Sequence, residues 1–142
     1  MTIDRGNIGF SLPSFQMVIE RERLRLFAEA IGETDPQFSS DIAPPTFFKA
    51  IDGENNSSRI ILDALNVDLK NVLHVEQQFD YVAPIRAGDC ITVVRRVLDI
   101  FDKRDGALEF IVIESVLSNG VGVGAVVGRS RQVVMVRNRN KG

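Results

Sequence analysis

Apolar side chains recur with a helical period after Glu20: Leu24, Phe27, Ala28 and Ile31 fall at i, i+3, i+4 and i+7, while Arg21, Arg23, Arg25 and Glu29 occupy other faces. Glu20 and Glu22 suit the positive end of the helix dipole, and Gly32 can take the left-handed conformation that stops the helix. Ahead of it, residues 14–19 are short and mostly apolar, which predicts an edge strand or an extended lead-in. Asp35-Pro36 then forces a turn, because proline disfavours the helical region for its predecessor. Pro44-Pro45 followed by Thr46, Phe47, Phe48, Lys49, Ala50 and Ile51 predicts a new and mostly buried helical turn. The run Asp52-Gly53-Glu54-Asn55-Asn56 interrupts it. Ser57 or Ser58 can cap a second piece carrying Ile61, Ala64 and Leu65, so residues 45–66 read as one broken helical arm.

Beyond Val67 the period becomes two. In residues 72–82, Leu73, Val75, Phe79 and Tyr81 alternate with His74, Glu76, Gln78 and Asp80, predicting a strand with one covered face that Gln77 interrupts. Pro84 ends it, Ala87-Gly88-Asp89 supplies a turn, and residues 90–101 predict a long strand rich in Val and Ile. Asp105-Gly106 and Asn119-Gly120 signal hairpins into residues 107–117 and 121–136, so three long strands form a meander. Apolar residues lie on both faces, for instance Ile111 and Ile113 against Phe110 and Val112. One face is expected to cover the apolar helix and another to meet a partner subunit. Gly122, Gly124 and Gly128, placed on one side of the last strand, allow bending or close backbone approach, and residues 137–142 read as a frayed polar tail. The fold class expected is α+β: a curved antiparallel sheet wrapped around a buried helix.

Composition narrows the function more than the fold. The 142 residues suit one domain, and a net charge of −2 argues against a broad nucleic-acid surface. One cysteine, Cys90, and one histidine, His74, cannot make an internal disulfide or an ordinary zinc site, so no metal or other cofactor is expected and a reduced cytoplasmic setting is the default. No apolar run approaches the roughly 20 residues that span a bilayer, and the N-terminus lacks an export pattern. No membrane association is expected.

Four chemistries can be weighed on the residues. Gly120-Val-Gly-Val-Gly124 falls within a strand pattern, whereas a dinucleotide loop needs a strand before it and a helix after it. Cys90 with His74 could form a nucleophile pair, although a cysteine at a strand start is more often a small buried hydrophobe. His74 sits on the polar side of its strand, facing solvent or a subunit. Glu54 and Asp63 could serve as a base for thioester hydrolysis, but carboxylates on a helix surface are usually only solvated.

Taken together, Phe27-Ala-Glu-Ala-Ile-Gly32, Asp35-Pro36, Ala43-Pro-Pro-Thr-Phe47, His74-Val-Glu-Gln77 and Tyr81-Val-Ala-Pro-Ile-Arg-Ala-Gly-Asp89 resemble the MaoC-like dehydratases, in particular their N-terminal-type, FAS1-like hot-dog domain. The resemblance covers nearly the whole chain, residues 1–142, and implies the hot-dog fold. It also implies chemistry on trans-2-enoyl or (3R)-hydroxyacyl thioesters of coenzyme A or acyl carrier protein. Catalytic members hold a water between an aspartate and a histidine five residues later, in a pattern like Asp-x-Asn-Pro-x-His, a pairing suited to proton transfer near neutral pH. Laid on this chain the pattern is Glu33-Thr34-Asp35-Pro36-Gln37-Phe38, in which Glu33 keeps a carboxylate and Phe38 replaces the imidazole. The resemblance assigns substrate contact to Phe38, Ala43, Pro44, Pro45, Thr46 and Phe47, with backbone N–H groups there polarising the thioester carbonyl. It points to the non-catalytic subunit of a (3R)-hydroxyacyl-carrier-protein dehydratase, working beside a second hot-dog chain that carries the dyad. Two alternatives stand beside it: a homodimeric hydratase in which Glu33, with Asp35 or His74, does the chemistry, and a thioesterase or acyl-CoA-binding hot-dog protein relying on Glu54 or Asp63.

Overall fold

A computed structural model describes residues 3–38, 41–120 and 124–138. Strand β1 (Phe15–Val18) leads into helix α1 (Arg21–Ala30), and a short 3-10 turn, Pro36–Phe38, follows. Helices α2 (Phe47–Asp52) and α3 (Ser57–Ala64) come next, before strands β2 (Val72–Tyr81), β3 (Cys90–Lys103), β4 (Leu108–Asn119) and β5 (Ala125–Arg137). All five strands join one antiparallel sheet in the order β1-β3-β4-β5-β2. The expected meander is β3-β4-β5, and β1 and β2 are the two edges. Gly122 and most of the 137–142 tail lie outside the described residues, as does the middle of the 120–124 glycine run.

Helix α1 ends as its sequence predicts: Gly32 takes φ +73 and the Glu33 amide turns back to the Ala28 carbonyl at 2.9 Å. Between α2 and α3 the chain breaks where Asn55 and Asn56 adopt left-handed conformations, which asparagine tolerates better than most residues. The serine caps expected there do not form. Asn56 occupies the cap position without a side-chain bond, because Ser57 and Ser58 are drawn inward by a buried arginine. Strand β2 departs from its pattern too. A register shift between His74 and Glu76 inserts one extra residue, so Phe79 and Tyr81 face the helices while Leu73 lands on the opposite face, about half exposed at 51%. A second irregularity, between Leu117 and Ser118 opposite β5, removes Gly124 from the face that holds Gly128.

The core divides in two. Around α1 and α2, Leu24, Phe47, Phe48, Ile51, Val93 and Leu117 pack together, and beneath α3 a second cluster gathers Ile61, Leu65, Val97, Ile113 and Val134. A polar belt separates them. Arg95, on the inward face of β3 between Val93 and Val97, is 1% exposed and donates from Nε to Ser115 Oγ at 2.9 Å. Its Nη1 reaches the Asp52 carbonyl at 3.0 Å, Ser57 Oγ at 2.9 Å and Ser58 Oγ at 2.8 Å, while Nη2 reaches Gln132 Oε1 at 3.1 Å. Lys49 Nζ shares that same Gln132 oxygen at 3.3 Å. Asp52, fully buried at the end of α2, accepts from Ser130 Oγ through Oδ2, and its Oδ1 has no hydrogen-bond partner among the described residues. Burial pushes the Asp52 carboxyl up against the opposing pull of Arg95 and Ser130, and burial pulls the Arg95 guanidinium and Lys49 ammonium down. No helix among the described residues is long and apolar enough to cross a membrane.

Candidate active site

The loop after α1 carries the residues expected to hold a site. Glu33 uses Oε1 to accept from the Asp35 amide at 3.1 Å, and Asp35 in turn accepts from the Gln37 amide at 3.0 Å. Both carboxylates therefore cap the turn that aims Phe38. Ahead of α2, residues 41–43 lie alongside 85–87: the Ala43 amide donates to the Ile85 carbonyl at 2.8 Å and the Ala87 amide to the Asp41 carbonyl at 3.0 Å. This pairing brings Ala43, Pro45 and Phe38 against the segment that leaves β2.

Between them is an open, mostly apolar cavity of about 320 Å³, lined by Gln37, Phe38, Ala43, Pro45, Phe48, Tyr81 and the residues from Val82 to Ile85. Its floor is aromatic. Phe48 meets Tyr81 edge-on at 4.9 Å between ring centroids and Phe79 at 6.2 Å. Tyr81 donates its hydroxyl to the Pro45 carbonyl at 3.0 Å, and burial raises its pKa above the ordinary 10.0, so the phenol stays protonated near neutral pH.

Of the residues marked from the sequence, Phe38, Ala43 and Pro45 line this cavity. Pro44 is buried and Thr46 exposed at its border, whereas Phe47 points the other way, fully buried against Phe27 at 5.1 Å with Arg23 over its ring. The amides of Phe47, Phe48 and Lys49 donate to the carbonyls of Pro44, Pro45 and Thr46, which commits those donors within the turn and not toward a thioester. His74 is remote. It stands six register steps along the β2–β5 ladder from Tyr81, about 20 Å at roughly 3.3 Å per residue, and its Nε2 contacts the Glu76 carbonyl at 3.0 Å. Glu54 pairs with Arg23 and exposed Asp63 with Arg59, as solvated helix carboxylates do. Cys90 is half-buried at the start of β3.

Neither Tyr81 nor Arg95 is marked from the sequence, nor are the cavity residues Gln37, Phe48 and Val82 to Ile85. Tyr81 is the only tyrosine, and the signal for it was the run Tyr81-Val-Ala-Pro-Ile85, in which a strand ends at a proline beside an aromatic. Arg95 was legible as a charge at an inward position of a strand otherwise built of Val and Ile.

Comparison with known proteins places the chain among a family, a set of relatives and a group of solved structures. The profile of a family described as "FAS1-like, dehydratase domain region" matches residues 7–127. A UPF0336 protein of Streptomyces avermitilis is 35% identical over 112 residues, covering 70% of this chain and 75% of the relative. Among solved structures, the C-terminally truncated HadBC (3R-hydroxyacyl-ACP dehydratase) complex of Mycobacterium tuberculosis aligns with a TM-score of 0.73 at 20% identity, over 91% of this chain and 97% of that one. The R-hydratase PhaJ1 of Pseudomonas aeruginosa aligns with a TM-score of 0.67 at 19% identity, over 96% and 87%.

Proposed function

Since the chain belongs to the FAS1-like dehydratase-region family and has the hot-dog fold, we propose that it is the acyl-thioester-binding subunit of a hydratase or dehydratase whose proton transfers are made by a second hot-dog subunit. One observation carries this reading. The cavity beside the family's site loop is lined, among the described residues, by no group that can exchange a proton near neutral pH. Adding water across a trans-2-enoyl thioester requires a base for the water and an acid for C2. Phe38 stands where an imidazole would do that work. The cavity itself suits the substrate, with apolar walls for an acyl chain and an open mouth for a thioester.

A partner has a surface to meet. Strand β2 is an edge with one side of its backbone unpaired in the sheet, and Leu73 and Val75 are exposed on it at 51% and 48%. The structural similarity to a chain of the HadBC complex supports such a pairing. The test is hydration of crotonyl-CoA by the purified chain, alone and mixed with a hot-dog subunit that retains the Asp and His pair. Turnover is expected only in the mixture. Turnover by the chain alone at ordinary enzyme rates, lost in Glu33→Gln, would overturn the proposal in favour of a self-sufficient homodimer.

A further inference from the structure

We infer that this subunit accepts only short acyl chains, because its cavity is closed from behind by Phe48 seated on Gly128 and, one helical turn deeper, by the Asp52–Arg95 belt. The inference rests on the acyl-thioester reading above and adds its chain length.

Phe48 and Asp52 are four residues apart on α2 and project from the same face toward the sheet. Gly128 and Ser130, two residues apart on β5, face them in the same order. A Cβ at Gly128 would lie 2.3 Å from Phe48 Cε2 and 2.6 Å from its Cζ, so the missing side chain is the space the ring occupies. Behind the ring, Ser130 bonds Asp52, and Arg95 spreads its donors over Ser57, Ser58, Ser115 and Gln132. An acyl chain entering by Pro45 and Tyr81 thus meets an aromatic ring first and a buried carboxylate and guanidinium second. The ring could move aside. Methylenes in the belt would displace charge-assisted hydrogen bonds and supply none in return.

From Pro45 to Asp52 is seven residues, about 10 Å at the helical rise, the length of about eight extended carbons, and Phe48 stands at about half that depth. Apolar burial of about 0.8 kcal/mol per methylene corresponds to an affinity gain of about fourfold per carbon. That gain should continue only while the chain has room.

Binding of saturated acyl-CoAs from butanoyl to hexadecanoyl to the full-length chain, measured by isothermal titration calorimetry, tests this. Affinity is expected to rise by about fourfold per carbon up to about four to six carbons and then stop rising. Phe48→Leu should move the limit outward by about two carbons or more and Gly128→Ala inward, since its Cβ drives the ring into the cavity. Because a Cβ at Gly128 would also lie 2.8 Å from the Asp80 carbonyl, circular dichroism on both variants, with Phe48→Met as a milder third change that should move the limit outward, guards against a variant that fails to fold. Affinity that keeps climbing to hexadecanoyl-CoA in the unaltered chain, or a limit unmoved by both substitutions, overturns the inference and leaves thioester binding standing. Failure to bind acyl-CoA of any length overturns both.

Discussion

Arg95 and Asp52 show how much one buried residue can hold. Removing Arg95 strands four side-chain hydrogen-bond partners and the Asp52 carbonyl, and it takes away the guanidinium charge that favours the ionised Asp52 carboxylate. Arg95→Ala is therefore expected to destabilise the fold by about 3–5 kcal/mol, the scale for breaking one side of a buried ionic arrangement. Denaturant midpoints check this, and Arg95→Met with Asp52→Leu should recover a large part of the loss, since replacing both partners with apolar residues avoids an uncompensated charge. The pH dependence has a definite sign. Burial raises the Asp52 carboxyl above its ordinary 3.8, so the folded state holds a proton that the unfolded chain releases. Its stabilising contribution is full below that value and is lost as pH rises through the folded-state pKa. The stability of the unaltered chain relative to Asp52→Asn should accordingly fall as pH rises from about 3.8; a difference flat in pH would refute the assignment. Lys49 and Arg95 are the cations that face this carboxyl, and both oppose its rise.

At the scale of elements, β2 is the part whose sequence and structure diverge most. The alternation of Leu73, Val75, Phe79 and Tyr81 reads as one apolar face, yet the inserted residue near Val75 splits it between the two faces of the sheet. Periodicity fixes which strands exist but is blind to a bulge, because the extra residue changes phase without changing composition. The rest was more legible. Helix α1, the broken arm at Asn55 and Asn56 and the three-strand meander all follow from periods, glycines and turn residues that act locally. The polar belt was not legible as a unit, since Arg95, Ser115, Ser130 and Gln132 are aligned by sheet register and Asp52 is laid against them by the packing of α2. What β2 gains from its bulge is exposed apolar side chains, Leu73 and Val75, on the edge that the proposed pairing would use. Replacing Leu73 and Val75 with glutamate should weaken subunit association by more than tenfold, given about 1.5–3 kcal/mol for each fully buried aliphatic side chain. Sedimentation velocity would measure it, with circular dichroism showing the subunit fold unchanged.

For the molecule as a whole, what was legible of the candidate site is that Phe38, Ala43 and Pro45 line one cavity. The turn at Glu33–Phe38 and the Pro44-Pro45 start of α2 were readable because prolines and side-chain caps act locally. The wall made by Tyr81 and by Val82 to Ile85 arrives from a distant part of the chain through the 41–43 and 85–87 pairing. A subunit that relies on a partner across β2 should melt at a temperature that rises with protein concentration, because association adds to the stability of the folded form. Scanning calorimetry over a hundredfold range of concentration tests that, and a constant melting temperature would count against association. Tyr81 gives this a further turn. It is the last residue of β2, and its hydroxyl holds the Pro45 carbonyl at the cavity mouth, so on the proposed function the same residue belongs both to the edge offered to a partner and to the wall offered to a ligand. Thermodynamic linkage makes such sharing reciprocal: whatever factor assembly along β2 contributes to thioester affinity, the bound thioester returns in full to assembly. Where that factor exceeds one, a loaded subunit holds its partner more tightly than an empty one and product release loosens the pair; where it is below one, binding and assembly oppose each other.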